Sequence, residues 1–73
     1  MDKLYLWEGK YVALEDEDGK VWRGRVVVYE DEEDSEYGEE AIALAIPEEP
    51  DCYIEFKAHE IKSIREIDPP KRR

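Results

Sequence analysis

Carboxylates are the most concentrated reactive groups in this chain. Between Val26 and Phe56 the sequence has twelve Asp and Glu residues and no Lys or Arg. The whole chain has 21 acidic and 11 basic residues, so nine acids and eleven bases are left outside this segment. Charge runs usually form solvated surface, but they can also attract a basic partner by imitating phosphates. The candidate partner-binding residues are Glu30, Asp31, Glu32, Glu33, Asp34 and Glu36.

Neither metal-binding pattern that we considered fits the spacing of the ligands. Asp31, Glu33 and Ser35 alternate as calcium ligands would, but Glu36 stands where an EF-hand loop needs Gly. A structural zinc site usually takes four Cys or His ligands, and the chain has only Cys52 and His59. The sequence therefore predicts no metal site and no cofactor.

The same Cys and His do not suggest catalysis. A nucleophile needs a base within hydrogen-bond reach, and nothing in the sequence places His59 beside Cys52 or Ser63. A chain of 73 residues is also short for a deep cleft. We therefore expect no enzyme. We expect Cys52 to pack as a small apolar residue, and its lack of a disulfide partner, with no apolar run long enough for a membrane span, predicts a cytoplasmic protein.

Basic side chains share the outward parity of one predicted strand. Acidic neighbours on the facing strand, Glu15 and Glu17, would form cross-strand ion pairs with them. The alternative is a basic stripe beside Trp22 or Tyr29 that binds single-stranded nucleic acid by stacking, which the net charge of −10 opposes. The residues concerned are Lys20, Arg23 and Arg25.

Strands must position these groups. Residues 11–14 and 21–29 are rich in Val, Tyr and Trp, and Asp18-Gly19 between them predicts a hairpin turn with positive φ at both residues. Gly24 predicts a bulge, a bend or a close backbone approach. The residues of the second strand expected to face the core are Trp22, Gly24, Val26 and Val28, leaving Tyr29 outward.

The rest of the chain also favours short strands. Residues 41–46 alternate Ala with Ile or Leu, and the prolines at 47 and 50 favour a strand over a short helix. Residues 52–56 and 63–67 are predicted strands around a tight turn at 58–60, while residues 3–7 could be a helical turn or a strand. We predict an all-β, strongly bent, five-stranded antiparallel barrel over residues 1–68 and a flexible basic tail over 69–73.

This order of elements resembles the Sm and Sm-like (LSm) family. The resemblance rests on residues 9–14 and 18–26, which are similar to the family's first motif, and on residues 56–65, which are similar to its second. It implies a small barrel that can assemble into an RNA-binding ring. In that ring the fourth and fifth strands of neighbouring copies pair edge to edge and Lys57 and His59 face the pore.

The chain departs from the family where the RNA-binding members hold a base. It contains no Asn, and Lys57-Ala58 replaces the family's Arg-Gly. The resemblance therefore favours a protein-binding regulatory module, similar in fold and charge to the acidic Sm-like inhibitor of the termination factor Rho. The alternatives are an RNA-binding ring, with Lys57, His59, Arg23 and Arg25 as its contacts, and a structural module without a ligand.

Overall fold

A computed structural model of the chain describes residues 3–47, 49 and 51–70. The predictions for residues 1, 2, 48, 50 and 71–73, which include most of the tail, lie outside the described residues. Five antiparallel strands form one sheet in the order β4-β3-β2-β1-β5, which confirms the predicted all-β class. The strands are β1 (Tyr11–Asp16), β2 (Val21–Glu30), β3 (Ala41–Ala45), β4 (Tyr53–Lys57) and β5 (Ile61–Glu66), with 3₁₀ helices at Leu4–Trp7 and Ala58–Glu60.

The sheet is not closed into the predicted barrel, because its order leaves β4 and β5 as the two outer strands. β2 joins the two sides of the sheet: residues 21–25 pair with β1, and residues 25–30 pair with β3. At Gly24, a Cβ atom would lie 2.5 Å from the backbone oxygen of Ala45. The predicted close backbone approach at this glycine is therefore confirmed.

The core lies on one face of the sheet. Val26 is buried there as predicted, but Val28 is 40% exposed and Tyr29 packs against the core instead. The pairing register shifts between Val26 and Val28, so the extra residue Val27 reverses the parity of the rest of the strand. The predicted orientations of Val28 and Tyr29 were wrong for this reason. The buried core residues are Leu4, Val12, Leu14, Val26, Ile42, Leu44, Ile46, Phe56 and Ile61.

The structure resolves two choices between helix and strand that the sequence left open. Residues 3–7 contain a 3₁₀ helix, which buries Leu4, and residues 41–45 form a strand rather than a helix. The last strand begins at Ile61, two residues earlier than predicted. The turn before it is short because the Glu60 side chain accepts a hydrogen bond from the Lys57 backbone N–H at 2.8 Å. Within the described ranges, no helix is long and apolar enough to cross a membrane.

The first hairpin depends on one carboxylate. Asp16 Oδ1 accepts hydrogen bonds from the backbone N–H groups of Asp18 and Lys20, at 2.9 and 3.0 Å. Its Oδ2 accepts one from the Trp22 indole at 2.9 Å. Of the two turn residues, Gly19 has a positive φ, of 86°, and Asp18 does not, so the expectation of positive φ at Asp18 was wrong. The Asp16 side chain therefore stabilises this turn by hydrogen bonds, whereas a two-residue hairpin turn uses two residues with positive φ.

Candidate functional site: an ordered acidic loop

The last residue of β2, Glu30, and the connection that follows it to β3, residues 31–40, are here together called the acidic loop. It begins with a single turn in which the Ser35 backbone N–H donates to the Asp31 carbonyl at 3.0 Å. Asp31 Oδ1 accepts from the N–H groups of Glu33 and Asp34, at 3.1 and 2.9 Å. Ser35 is 8% exposed, and its Oγ accepts from the Tyr37 N–H. Much of the loop backbone is therefore held by hydrogen bonds from its own polar side chains.

Tyr37 fastens this loop to the face of the sheet opposite the core, here called the outer face. Its hydroxyl donates to Glu55 Oε1 at 2.9 Å, and Lys57 Nζ lies 4.2 Å from its ring centroid. Glu55 and Lys57 pair in register with Ala43 and Ala41. Because these alanines are buried although their side chains point away from the core, the loop has a small-residue surface on which to lie. The alternation predicted for this strand is correct, but both of its faces are covered.

The end of the loop is tied down by two further carboxylates. Tyr29 donates its hydroxyl proton to Glu40 Oε2 at 2.5 Å, and this hydrogen bond raises the pKa of Tyr29 to about 12. Glu39 accepts from the His59 backbone N–H at 3.0 Å, and its other oxygen lies 2.8 Å from His59 Nδ1. The backbone hydrogen bond first, and then the ring contact, lower the pKa of Glu39.

The six predicted partner-binding carboxylates differ from Glu39, which contacts the His59 ring, in having no cationic partner among the described residues. None forms a salt bridge with a Lys, Arg or His in the part of the chain that the structure describes. Asp31, Glu32 and Glu33 line an open depression of about 300 Å³. The loop therefore presents unneutralised carboxylates on a backbone held by its own contacts, an arrangement suited to binding Lys or Arg side chains.

The residues of the alternative nucleic-acid site do not form one surface. Lys57 and His59 contact the acidic loop, through Tyr37 and Glu39. Arg23 and Arg25 lie on the outer face of β2, where Arg25 Nη1 donates to the Gly9 carbonyl at 2.8 Å. Arg25 pairs with Ala45 of β3, and Ala45 pairs with Tyr53 of β4. Lys57 lies four residues further along β4 than Tyr53. The structure therefore separates the two pairs of basic residues.

The aromatic residues expected beside these arginines face the other way. Trp22 packs edge-on against Phe56 with 5.8 Å between ring centroids, and Tyr29 packs against the core. The aromatic ring beside Arg25 is that of Tyr11, whose centroid lies 5.9 Å from the guanidinium carbon. Trp22 and Tyr29 therefore do not lie on the outer face with the arginines, although Trp22 contacts Lys20, and their role in stacking stays a prediction.

The predicted ion pairs across the first hairpin are also replaced by others. Glu15 lies 3.9 Å from Lys62 Nζ on β5, while Lys20 Nζ lies 4.1 Å from the Trp22 ring centroid. On the outer face, Ala13 of β1 pairs with Arg23 of β2 on one side and with Arg65 of β5 on the other. Sequence reasoning missed Arg65, because the pairing of β1 with β5 joins residues about fifty positions apart.

Two smaller predictions concern Cys52 and His59. Cys52 is exposed, so the expectation that it packs as a small apolar residue was wrong. His59 contacts Glu39, and atoms of His59, Glu17 and Glu60 that could ligate a metal ion lie within 4.8 Å of one another. Glu17 comes close to the other two residues only through the fold, so the sequence contains no sign of this group.

Comparisons with known proteins assign no family to this chain. No family model, no curated protein and no solved structure matches it. What the chain does must therefore be inferred from its own residues and contacts.

Proposed function

We propose that this chain is a non-enzymatic binding module whose acidic loop engages a basic protein surface. The observation that carries the proposal is the anchoring of the loop by Tyr37, which holds the neighbouring carboxylates against the sheet. A loop that served only solubility would not need this anchor. An ordered binding segment has less conformational entropy to lose when a partner docks.

The partner that fits this surface carries clustered Lys or Arg side chains, as the RNA-binding face of a protein does. Carboxylates spaced along a turn resemble the phosphates of a nucleic acid in charge and in hydrogen-bond acceptance. The interaction should associate quickly at low ionic strength and weaken as salt is added. A regulatory role follows, because such a module competes with RNA for its partner.

An Sm-like fold is part of this proposal. It is supported by a short helix before β1, a glycine in β2 that makes a close backbone approach, and a one-turn connection between β4 and β5. The exposed positions of β4 and β5 at the two edges of the sheet favour a second candidate, the RNA-binding ring. Edge strands offer unpaired backbone groups to a neighbouring copy.

Sedimentation separates the two candidates. The ring requires a stable hexamer or heptamer and micromolar binding of short U-rich or A-rich RNA. The contacts of Lys57 with Tyr37 and of His59 with Glu39 count against it, because both side chains are engaged by the acidic loop. A monomer or dimer without RNA affinity would leave the protein-binding proposal as the stronger one.

Neutralising the loop tests the proposed function directly. The loop variant changes five acids to their amides and keeps Asp31, which holds the turn: Glu30→Gln, Glu32→Gln, Glu33→Gln, Asp34→Asn and Glu36→Gln. A matched control neutralises five exposed acids elsewhere: Glu8→Gln, Asp18→Asn, Asp51→Asn, Glu66→Gln and Asp68→Asn. Both variants have the same net charge, so only the position of the charge differs between them.

The readout is the Kd for an Arg-rich peptide at low and moderate salt, with circular dichroism to confirm folding. We expect the loop variant to bind at least about tenfold more weakly and the control to bind within about threefold of the parent, since close charge pairs contribute most of such binding. Equal loss in both variants would mean that only net charge matters, and would contradict the proposal.

A further inference from the structure

A second group of potential ligands lies at the junction of the first hairpin with the turn between β4 and β5. Glu17 comes from the hairpin, and His59 and Glu60 come from the turn. Each offers one ligating atom, and the three atoms lie within 4.8 Å of one another. We propose that Glu17, His59 and Glu60 bind a divalent transition-metal ion of the zinc type, with water completing the coordination.

The backbone already brings the two loops together at this point. The Glu17 N–H donates to the Glu60 carbonyl at 3.0 Å, which holds the hairpin against the turn. Glu60 Oε1 accepts from the Lys57 N–H at 2.8 Å, so its carboxylate is oriented and Oε2 is left to ligate. Two of the three ligand residues are therefore positioned by contacts that do not involve a metal ion.

The third ligand residue, His59, is oriented by a carboxylate outside the ligand group. Glu39 lies 2.8 Å from Nδ1 and also accepts the His59 backbone N–H. When Nδ1 donates to Glu39, the lone pair of the neutral ring is on Nε2. Metal-bound histidines commonly have this arrangement, in which a carboxylate on the second nitrogen fixes the tautomer and the ring orientation. It distinguishes this group from an ordinary patch of surface acids.

The distances suit a small ion after modest side-chain movement. Ligands about 2.0–2.2 Å from a tetrahedral ion lie about 3.4 Å apart, so the present spacing of up to 4.8 Å has to contract. The His59 side chain is 59% exposed and Glu17 is exposed, so neither is held by packing. An imidazole with two carboxylates favours zinc, cobalt, nickel or copper over calcium and magnesium, which prefer oxygen ligands alone.

The three proposed ligands lie outside the acidic loop, which contacts the site through Glu39. The six candidate partner-binding residues are not among these ligands. The prediction of no zinc site counted only Cys and His as ligands, and so did not include the carboxylates that the fold brings to His59.

The test is calorimetric titration of the full chain with Zn²⁺ in the presence of excess Mg²⁺. All proteins carry Cys52→Ser, so that the exposed thiol cannot be the ligand. We expect saturable 1:1 binding that His59→Ala and Glu17→Gln each weaken at least about tenfold, and that Glu39→Gln weakens about tenfold through the loss of its hold on the ring. The matched control, Glu32→Gln with Glu33→Gln, removes two acids and should change the Kd less than about threefold.

A spectroscopic measurement identifies the ligand. Co²⁺ bound to the parent should shift the His59 ring resonances and give a visible absorption band, and His59→Ala should lose the band while keeping the circular dichroism of the folded chain. Equal weakening by the acidic-loop control, or Zn²⁺ binding that Mg²⁺ abolishes, would show that the ion is attracted only by surface charge. Either outcome would overturn the proposal.

Discussion

The two halves of the sheet differ in what covers their outer face. In the acidic half, formed by β3, β4, the acidic loop and residues 26–30 of β2, the loop lies on the sheet through Tyr37. In the arginine half, formed by β1, β5 and residues 21–25 of β2, Arg23 and Arg65 lie in one row on either side of Ala13. The carboxylates of the acidic half thus extend from a loop whose backbone is held by hydrogen bonds. The guanidinium groups of the arginine half are at the ends of long side chains on the strands.

Alanines show what this difference means for packing. Ala41 and Ala43 in the acidic half are buried where the loop lies, whereas Ala13 in the arginine half is buried between Arg23 and Arg65. Arginine stems can cover apolar surface while their guanidinium groups stay in water. A small residue that points to the outer face of a strand can therefore be covered by a neighbouring backbone or by a neighbouring long side chain. The residue that it pairs with shows which of the two covers it.

The two halves meet at β2, and breaking that junction should have the largest effect. In Gly24→Ala the new Cβ would lie 2.5 Å from the Ala45 oxygen, a backbone atom that cannot move without disturbing the pairing of β2 with β3. We expect the free energy of unfolding to fall by about 3 kcal/mol, at the upper end of the cost of overpacking. Urea denaturation followed by tryptophan fluorescence measures this change.

The control for that substitution is Gly38→Ala. Gly38 has a φ of 71° but no heavy atom within 4 Å of the added Cβ, so only backbone strain should act. The expected loss is about 1 kcal/mol. Equal losses at the two glycines would mean that the close approach between the halves is not what requires Gly24.

Local signals in the sequence predicted much of the fold. Pro47 and the alternation of Ile42 with Leu44 correctly indicated a strand, and Asp18-Gly19 marked the first turn. The bulge at Val27 was missed, because an extra residue in one strand is visible only against the register of its partner. Closure of the sheet was mispredicted because strand number and length do not determine whether the outer strands meet.

The sequence predicted which carboxylates form the candidate site, but not which of its residues contact one another. The carboxylates of the acidic loop could be identified by counting, since no base interrupts them. The contact of Tyr37 with Glu55 joins residues 18 positions apart and follows from the pairing of β3 with β4. The same limitation hid the neighbours of His59, because its turn meets the first hairpin only in the folded chain.

Alkaline titration should sharpen the contrast between the halves, since Tyr29 and Tyr37, whose pKa values are raised, both lie in the acidic half. Tyr29 has its pKa raised to about 12 from 10.0 by its hydrogen bond to Glu40, and Glu55 raises that of Tyr37. A raised pKa gives stability that is present below the unfolded value and is lost as pH rises through the folded one. The contribution of Tyr29 should therefore disappear between about pH 10 and 12.

The measurement is phenolate absorbance together with denaturant unfolding at increasing pH. Tyr29→Phe should flatten the alkaline loss of stability, and Glu40→Gln should lower the pKa of Tyr29 toward its ordinary value. Tyr53→Phe removes an exposed tyrosine at 63% exposure and serves as the control. A titration unchanged by Glu40→Gln would contradict the assigned hydrogen bond.

The prediction with the smallest expected effect concerns the pKa of one carboxylate in each half, Asp16 and Glu39. The Trp22 indole is the main cause of the lowered pKa of Asp16, whereas the His59 backbone N–H, and then its ring, lower that of Glu39. Trp22→Phe should therefore raise the pKa of Asp16 toward its ordinary 3.8. His59→Ala should raise that of Glu39 only in part, because the backbone hydrogen bond survives the substitution.

Carboxyl resonances followed by NMR report both values in each variant. A lowered pKa gives stability that is present above the unfolded value and is lost as pH falls through the folded one, so each variant should also lose less stability on acidification than the parent. If the halves are electrostatically independent, Trp22→Phe leaves Glu39 unchanged and His59→Ala leaves Asp16 unchanged. A shift of the distant carboxylate would mean instead that the hairpin and the β4–β5 turn, joined by the hydrogen bond from the Glu17 N–H to the Glu60 carbonyl, respond as one unit.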